Sequence, residues 1–399
     1  MAFKHVNKNR LIETALDHTP VSGLTHSFYR YPARFSPRFA RAAIEEFTEP
    51  GDMVLDPFAG GGTTLVEASA LGRRGIGLDV NSLANFVSEV KTTPLSRSDI
   101  TQLHTWIGDL PKKLNLHRKL TPMNSWRELG YLKNINDRQN WPIRKTLELA
   151  LLELESLKNK RQRQFIRCVL LRAGQWALDC RSRAVSARRF RDQILIYYYE
   201  MIDGIQDYRD EVLSVHRMSE AKKLLKPVSF QLPASRIDEI KFLRGGQAPR
   251  LVLTSPPYAG VHILYHRWQV GGRKETPAPY WIAGCVDGHG ASQYTFGDRK
   301  THETGVYYDR LRESFDAIIR ICDQGSIVIQ IVGFSNPDSQ MQRYLKTINE
   351  TGLKEFKIGK ATSSADGRLW RSVPNRKWYA TKEPRFETHR EVVLFHTVS

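Results

Sequence analysis

The proline loop, residues 254–258 with the sequence TSPPY, directly follows a short apolar run that begins at Leu251. Its two consecutive prolines fix the backbone and lack N–H groups, so their segment cannot continue as a paired strand. The hydroxyl of Ser255 and a free carbonyl can then accept hydrogens from one exocyclic amine, while Tyr258 offers a face for stacking. The alternative interpretation is a rigid turn that carries an exposed tyrosine.

The glycine loop, residues 56–64 with the sequence DPFAGGGTT, is the second candidate site. Three consecutive glycines let a ligand approach the backbone closely, and the N–H groups at the start of the following helix favour an anionic group. No lysine precedes the threonine pair, so the segment is not a P-loop, and its spacing departs from the dinucleotide fingerprint. Asp79 follows about 20 residues later, at the end of the next strand, where a carboxylate can accept both ribose hydroxyls.

Alternating strands and helices must position these loops. Around the glycine loop the pattern predicts strand 53–56, helix 63–71 and strand 75–79, with Thr64 and Glu67 at capping-box spacing. This order is half of a doubly wound nucleotide-binding sheet. A preceding helix is predicted at 37–47, and further strands at 228–232, 251–254, 326–332 and 391–397.

Apolar residues recur at helical spacing from about Asp99 to Leu225, on a background rich in arginine. We interpret residues 96–226 as a mostly helical insertion between two parts of one α/β domain, residues 1–95 and 227–399. The stretch from 259 to 304 shows little periodicity, and a loop of that length is usually functional or mobile.

The composition excludes several classes of protein. No apolar run approaches the roughly 18 residues of a membrane span, and the charged N-terminal segment has no signal-peptide core. The four cysteines are scattered without CxxC spacing, so we expect no metal centre or disulfide framework and a reducing, cytoplasmic setting. The net charge of +18 makes nucleic acid the leading polyanionic partner.

The two loops together resemble those of amino-methylating DNA methyltransferases. The glycine loop is similar to their cofactor loop, and the proline loop is similar to their catalytic loop in the form typical of cytosine-N4 enzymes. The segment YPARF at 31–35 resembles the one that closes over the methionine part of S-adenosylmethionine, and REVVLF at 390–395 resembles a late sheet strand. The resemblance covers roughly residues 26–95 and 228–399, and it departs at Gly61, where the family commonly has serine.

The resemblance implies a Rossmann-like, mostly parallel α/β sheet and S-adenosylmethionine as cofactor. The cofactor residues it implies are Tyr31, Asp56, Pro57, Phe58, Ala59, Gly60, Gly62, Thr63, Thr64 and Asp79. The catalytic residues it implies are Ser255, Pro256, Pro257 and Tyr258.

The chemistry of an exocyclic amine agrees with these roles. Its lone pair is delocalised into the ring, and acceptors at Ser255 and Pro256 would shift the nitrogen towards tetrahedral geometry for in-line attack on a sulfonium methyl group. In a duplex the base must first be flipped out, and Tyr258 would stack on it. A carbon-5 cytosine enzyme needs a cysteine after a proline, and the chain has no Pro-Cys dipeptide.

We therefore expect N4-methylcytosine formation at a specific site in double-stranded DNA, with a cognate restriction enzyme as a further partner. Adenine-N6 methylation, methylation of an RNA base, and an inactive DNA-binding protein are the alternatives. Because little chain follows the last predicted strand, target recognition is expected in the insertion or in 259–304. The candidate DNA contacts are Arg181, Arg183, Arg188, Arg189, Arg267, Trp268, Arg371 and Arg376.

Overall fold

The computed structural model describes most of the chain. The described residues are 6–31, 35–119, 124–181, 183–218, 226–259, 267–272, 274–287, 296, 305–334, 336–358, 364, 366–372 and 390–399.

An eight-stranded sheet forms the centre of the protein. Its strands are β1 (Met53–Asp56), β2 (Arg74–Leu78), β3 (Val228–Phe230), β4 (Leu251–Thr254), β7 (Ile327–Gly333), β8 (Leu353–Phe356), β9 (Leu369–Ser372) and β10 (Arg390–Val398). The order is β3-β2-β1-β4-β7-β10-β8, with β9 also paired to β10. The first five strands in this order are parallel, and β10 runs antiparallel to its neighbours. This mostly parallel α/β sheet confirms the predicted fold class.

The central strands form because their sequences are short, continuous apolar runs. β1 and β4 are buried at every position, as expected for parallel strands covered on both faces. The chain runs from β1 outwards to β2 and β3, then returns to β4 on the other side of β1. In α/β sheets such a reversal leaves a crevice beyond the carboxyl ends of the strands, where ligands bind.

Helices cover both faces of the sheet and build the insertion. Those that belong to the sheet region are α1 (Lys8–Leu16), α2 (Pro37–Phe47), α3 (Thr63–Ala70), α4 (Ser82–Lys91), α11 (Val306–Ile319) and α12 (Pro337–Glu350). Those of the insertion are α5 (Arg97–Lys113), α6 (Asn124–Glu128), α7 (Trp141–Glu153), α8 (Lys160–Leu178) and α9 (Ala187–Met218). From Arg97 to Met218 the described residues are therefore mostly helical.

The capping box predicted for α3 is wrong. The N-cap residue is Gly62, in the left-handed region at φ +73°, with no side-chain cap. Thr64 instead donates its hydroxyl to Asp56, and Glu67 contacts His26 and Arg41. Because α3 is buried along its whole length, these two side chains form hydrogen bonds with residues of other elements instead of capping the helix.

The stretch from 259 to 304 contains regular structure that the sequence did not indicate. A hairpin of β5 (Trp268–Val270) and β6 (Lys274–Thr276) precedes α10 (Ala278–Ala283). Apolar residues of β5 and α10 pack in the same core as the insertion helices. β5 and α10 are therefore anchored on the insertion.

In the described part of the chain, no helix combines the length and apolar character that crossing a membrane requires.

Candidate functional site

A cavity of about 470 Å³ opens beyond the carboxyl ends of β1 and β4. The glycine loop, the proline loop and the end of β2 all contribute to its wall. Of the residues predicted from the sequence, those that line it are Tyr31, Pro57, Phe58, Ala59, Gly60, Thr63, Asp79, Ser255, Pro256, Pro257 and Tyr258. Loops separated by almost two hundred residues thus meet at one site, because β1 and β4 are neighbours in the sheet.

Asp79 reaches the cavity from the end of β2. One carboxylate oxygen accepts from the Gly60 amide at 2.9 Å, and the other accepts from the Asn81 amide at 2.8 Å. Burial raises the pKa of Asp79 to about 6, although both amide hydrogen bonds act in the opposite direction. Each oxygen keeps a second lone pair, so the carboxylate can still accept from a diol.

Asp56, Gly62 and Thr64 do not line the cavity. Asp56 lies beneath it, where its carboxylate accepts from the hydroxyls of Thr64 and Thr254, each at 2.7 Å. Burial raises the pKa of Asp56 to about 6. The side chains of Asp56 and Thr64, predicted as cofactor contacts, therefore bond to each other rather than line the cavity. They hold the two loops in place.

Tyr31 packs directly on the glycine loop. A Cβ atom at Gly60 would lie 3.3 Å from its ring, and one at Gly61 would lie 2.9 Å from its Cβ. Serine, the residue that resembling sequences carry at this position, would therefore collide with Tyr31. From the other side, the Lys91 ammonium donates to the Gly61 carbonyl at 2.6 Å and the Ser88 hydroxyl donates to the Gly60 carbonyl at 3.1 Å. The loop is thus held on both sides.

The proline loop presents Ser255 beside the end of β7. The Ser255 hydroxyl lies 3.0 Å from the Ile331 carbonyl oxygen and 3.0 Å from Tyr258 Oη. The carbonyl of Pro257 accepts from the Tyr307 hydroxyl at 2.7 Å, which fixes the end of the loop. Tyr258 lines the cavity, but only 5% of its surface is exposed. The exposed tyrosine of the alternative interpretation is therefore excluded.

Several cavity residues were not predicted. The segment 231–236 after β3 contributes a further part of the wall. The predicted strand was its signal in the sequence, because the carboxyl end of that strand must lie at the same edge of the sheet. Gly61, Val80 and Asn81 also line the cavity. Phe35, Phe296, Arg310, Glu313 and Ser314 complete it, and no sequence pattern linked α11 to the two loops.

The candidate DNA contacts separate into two groups. Arg183, Arg188 and Arg189 are exposed near the start of α9, and none has a carboxylate partner among the described residues. Arg181 is half-buried, with its guanidinium over the Trp176 ring at 4.5 Å and its Nε donating to the Trp176 carbonyl. Arg183, Arg188 and Arg189 are therefore accessible to an anionic partner. Arg181 is less accessible, because it packs against Trp176.

Three other candidates have partners within the protein. Trp268 is buried, and its indole N–H donates to Tyr29 Oη at 3.0 Å, so it is a core residue. Arg371 is buried against Glu391, with Nε at 2.9 Å from the carboxylate. Arg267 pairs with Asp287 at 3.3 Å and with a second carboxylate at 3.8 Å. Arg376 lies outside the described residues.

Part of the chain is similar to known proteins. Residues 2–85 match the family model described as DNA methylase. A type II methyltransferase of Kocuria varians, M.MvaI, is 37% identical over 102 residues, which are 25% of this chain and 22% of that protein. M.BsoBI, a type II methyltransferase of Geobacillus stearothermophilus, is 40% identical over 68 residues, 17% of this chain and 13% of that protein.

These matches are partial, and the chain spans less than a quarter of the length of either curated relative. Among solved structures, an rRNA methyltransferase, aviRa from Streptomyces viridochromogenes, aligns over 99% of this chain and 95% of its own at 11% identity. The TM-score of 0.29 is too low for that alignment to support an inference.

S-adenosylmethionine fits the residues present. A carboxylate faces the cavity where a ribose can be held, Gly60 and Gly61 of the glycine loop form part of the cavity wall, and the volume lies within the range of ordinary cofactor sites. The match of residues 2–85 to the DNA methylase model and this arrangement of Asp79 and Gly60 together support S-adenosylmethionine as the cofactor.

Proposed function

We propose that the protein is an S-adenosylmethionine-dependent DNA methyltransferase that methylates the exocyclic N4 of a flipped-out cytosine in a specific duplex sequence. The observation that carries the proposal is that Ser255 of the proline loop and Asp79 at the end of β2 line one cavity at the reversal point of the sheet. The similarity to type II DNA methyltransferases, although partial, supports the same class of reaction.

Ser255 has the geometry of an acceptor for an amine hydrogen. Its hydroxyl can donate to the Ile331 carbonyl, an acceptor without a proton of its own, at 3.0 Å. Its oxygen lone pairs then remain for the substrate amine. An oriented acceptor at that place draws the nitrogen towards tetrahedral geometry and makes its lone pair available. A neutral hydroxyl rather than a carboxylate is the feature that favours cytosine N4 over adenine N6.

The cofactor, when bound, supplies an electrophilic methyl group on a sulfonium sulfur. The residues of the chain supply position. Asp79 and Gly60 line the part of the cavity where the ribose would bind, and the proline loop orients the amine for in-line displacement. Ser255 would still accept one amine hydrogen as methyl transfer made the nitrogen cationic, and the nitrogen would then lose one proton to water.

Duplex DNA is the proposed partner, and the insertion is the proposed recognition domain. The net charge of +18 favours a polyanion, and the exposed arginines Arg183, Arg188 and Arg189 offer phosphate contacts that need no displacement of an ion pair. Since the curated relatives are type II methyltransferases, a cognate restriction enzyme is part of the same proposal.

The test is transfer of a tritiated methyl group to duplex DNA, with the site found by sequencing DNA from expressing cells and the product nucleoside identified by mass. Ser255→Ala should lower kcat about a hundredfold, as for other oriented transition-state contacts, with little change in cofactor affinity. Ser314→Ala is the matched control, since this serine lines the same cavity but donates its hydroxyl to the Arg310 carbonyl at 2.8 Å. Full turnover in Ser255→Ala, or a product other than N4-methylcytosine, would contradict the proposal.

A further inference from the structure

A buried chain of hydrogen bonds runs from the last two strands of the sheet to Ser255. Arg371 on β9 and Glu391 on β10 lie directly opposite each other, and Arg371 Nε donates to Glu391 Oε2 at 2.9 Å. Glu391 Oε1 accepts from Tyr258 Oη at 2.8 Å, and Tyr258 Oη lies 3.0 Å from the Ser255 hydroxyl. Arg371 and Glu391 are 9% and 3% exposed, so water does not screen their charges.

The direction of these hydrogen bonds is fixed by the carboxylate. An ionised glutamate only accepts hydrogen bonds, and a guanidinium only donates them. Tyr258 must therefore direct its single phenolic proton at Glu391. Its oxygen cannot at the same time donate to Ser255, so the proton between these two residues can only come from the serine.

We infer that Glu391 is a positioning residue that keeps Ser255 an acceptor for the substrate. With the Tyr258 proton held by Glu391, the Ser255 proton goes to Ile331 or to Tyr258, and both serine lone pairs stay open towards the cavity. If the phenol turned its proton to Ser255 instead, that proton would occupy a lone pair the amine hydrogen needs. The inference rests on the proposed amine methylation and extends it to a residue that does not line the cavity.

Glu391→Gln should reverse the direction of the hydrogen bonds from residue 391 through Tyr258 to Ser255, while the shape of the side chain hardly changes. Arg371 requires an acceptor, so the glutamine amide should place its oxygen towards Arg371 and its NH₂ group towards Tyr258. The phenol then accepts from residue 391 and donates to Ser255. The variant should lower kcat about tenfold, the equivalent of one hydrogen bond, while KM for DNA and the Kd for S-adenosylmethionine change little.

Tyr258→Phe supplies the decisive comparison, because it removes the proton that the glutamine variant misdirects. We expect the double variant Glu391→Gln with Tyr258→Phe to turn over faster than Glu391→Gln alone. A merely structural role for Glu391 predicts the opposite, since two lesions in one buried cluster would weaken it further. Glu355→Gln is the matched control: its ion pair with Arg368, at 2.6 Å, lies on β8 of the same sheet and does not touch the proline loop.

A spectroscopic measurement tests the hydrogen-bond direction without turnover. Protein labelled with ¹³C at the tyrosine Cζ carbons gives one resonance for Tyr258, assigned by its loss in Tyr258→Phe. This resonance should move upfield in Glu391→Gln, as a phenol that donated to a carboxylate becomes an acceptor, and should stay in place in Glu355→Gln.

The two measurements separate the inference from the proposed function. If the wild-type protein methylates no DNA but the Tyr258 resonance moves in Glu391→Gln as expected, the proposed function is overturned and the hydrogen-bond direction is supported. A folded Glu391→Gln variant with an unmoved resonance, or with a loss of turnover that Tyr258→Phe deepens, would overturn the positioning role of Glu391.

Discussion

Thr254 donates its hydroxyl to Asp56 Oδ1 at 2.7 Å, although the two residues are 198 positions apart in the chain. Each lies at the carboxyl end of its strand, and the strands, β4 and β1, are neighbours. The same carboxylate accepts from Thr64 at the start of α3. One buried acid thus holds the proline loop, the glycine loop and the helix that follows it.

The first prediction concerns this buried acid and pH. Burial raises the pKa of Asp56 from 3.8 to about 6, so the folded protein binds its proton more tightly than the unfolded chain. Its contribution to the free energy of unfolding therefore falls as pH rises from 4 to 6. Asp56→Asn has no titrating carboxyl group, so it lacks this pH-dependent loss of stability. In this variant Thr64 can donate its hydroxyl to the Leu253 carbonyl, which lies 3.3 Å away.

Denaturation in urea at several pH values measures this effect. The free energy of unfolding of Asp56→Asn should rise relative to wild type by about 2 kcal/mol between pH 4 and pH 7. Asp79 is present in both proteins, so its own titration cancels in the difference, apart from the smallest contribution to its raised pKa, which comes from the charge of Asp56. A difference that stays constant over this range would contradict the raised pKa of Asp56.

The second prediction concerns Asp79 and the cofactor. Asp79→Ala should weaken S-adenosylmethionine binding by about 1.5–3 kcal/mol, the range for charge-assisted hydrogen bonds. Since burial raises the pKa of Asp79 to about 6, wild-type affinity should increase about tenfold from pH 5 to pH 7, as the carboxylate ionises. Asp79→Asn should abolish this pH dependence.

Calorimetry on the folded proteins provides the measurement, and Asp338→Ala, an exposed acid in the first turn of α12, is the control. Equal affinity in wild type and Asp79→Ala would remove Asp79 from the cofactor site.

The third prediction concerns the glycine that replaces a serine of the resembling sequences. Gly61→Ser should lose stability by about 1–3 kcal/mol and weaken cofactor binding, because its Cβ would lie 2.9 Å from the Tyr31 Cβ, next to the main chain. Gly61→Ala carries the same Cβ without the hydroxyl, so the two variants should behave alike in thermal unfolding and calorimetry. Tighter binding by Gly61→Ser than by wild type would show that a hydroxyl contact outweighs the collision.

The fourth prediction concerns the exposed arginines near the start of α9. Replacing Arg183, Arg188 and Arg189 with glutamine should lower affinity for all duplexes alike. Each lost phosphate contact should flatten the slope of log K against log salt by about 0.9. Fluorescence anisotropy with specific and random duplexes over a salt series measures both quantities.

The control removes the same number of charges at Arg38, Arg312 and Lys346, each exposed and paired with a carboxylate. A salt slope that is equal in wild type, control and triple variant would mean that the DNA does not approach the exposed arginines of α9.

Local sequence was enough to predict the elements around the site. The strands at 53–56 and 251–254 and the helix at 37–47 have the same bounds in the structure as in the sequence-based prediction. Each is a short apolar or amphipathic run that begins and ends at turn-forming residues or proline, so the information lies within the run itself. The two loops and Asp79 follow from the same signals, because their positions at strand ends determine which sheet edge they occupy.

Only the tertiary structure decided which side chains face the cavity and which lie beneath it. Asp56 and Asp79 are both acids at strand ends, yet one is closed off by Thr64 and Thr254 while the other faces the cavity. Trp268 and Arg371 have the residue types of a nucleic-acid surface, but Tyr29 and Glu391 bury them. The type of a residue determines what its side chain can bind. Its actual partner depends on which strands and helices pack together over long separations in the chain.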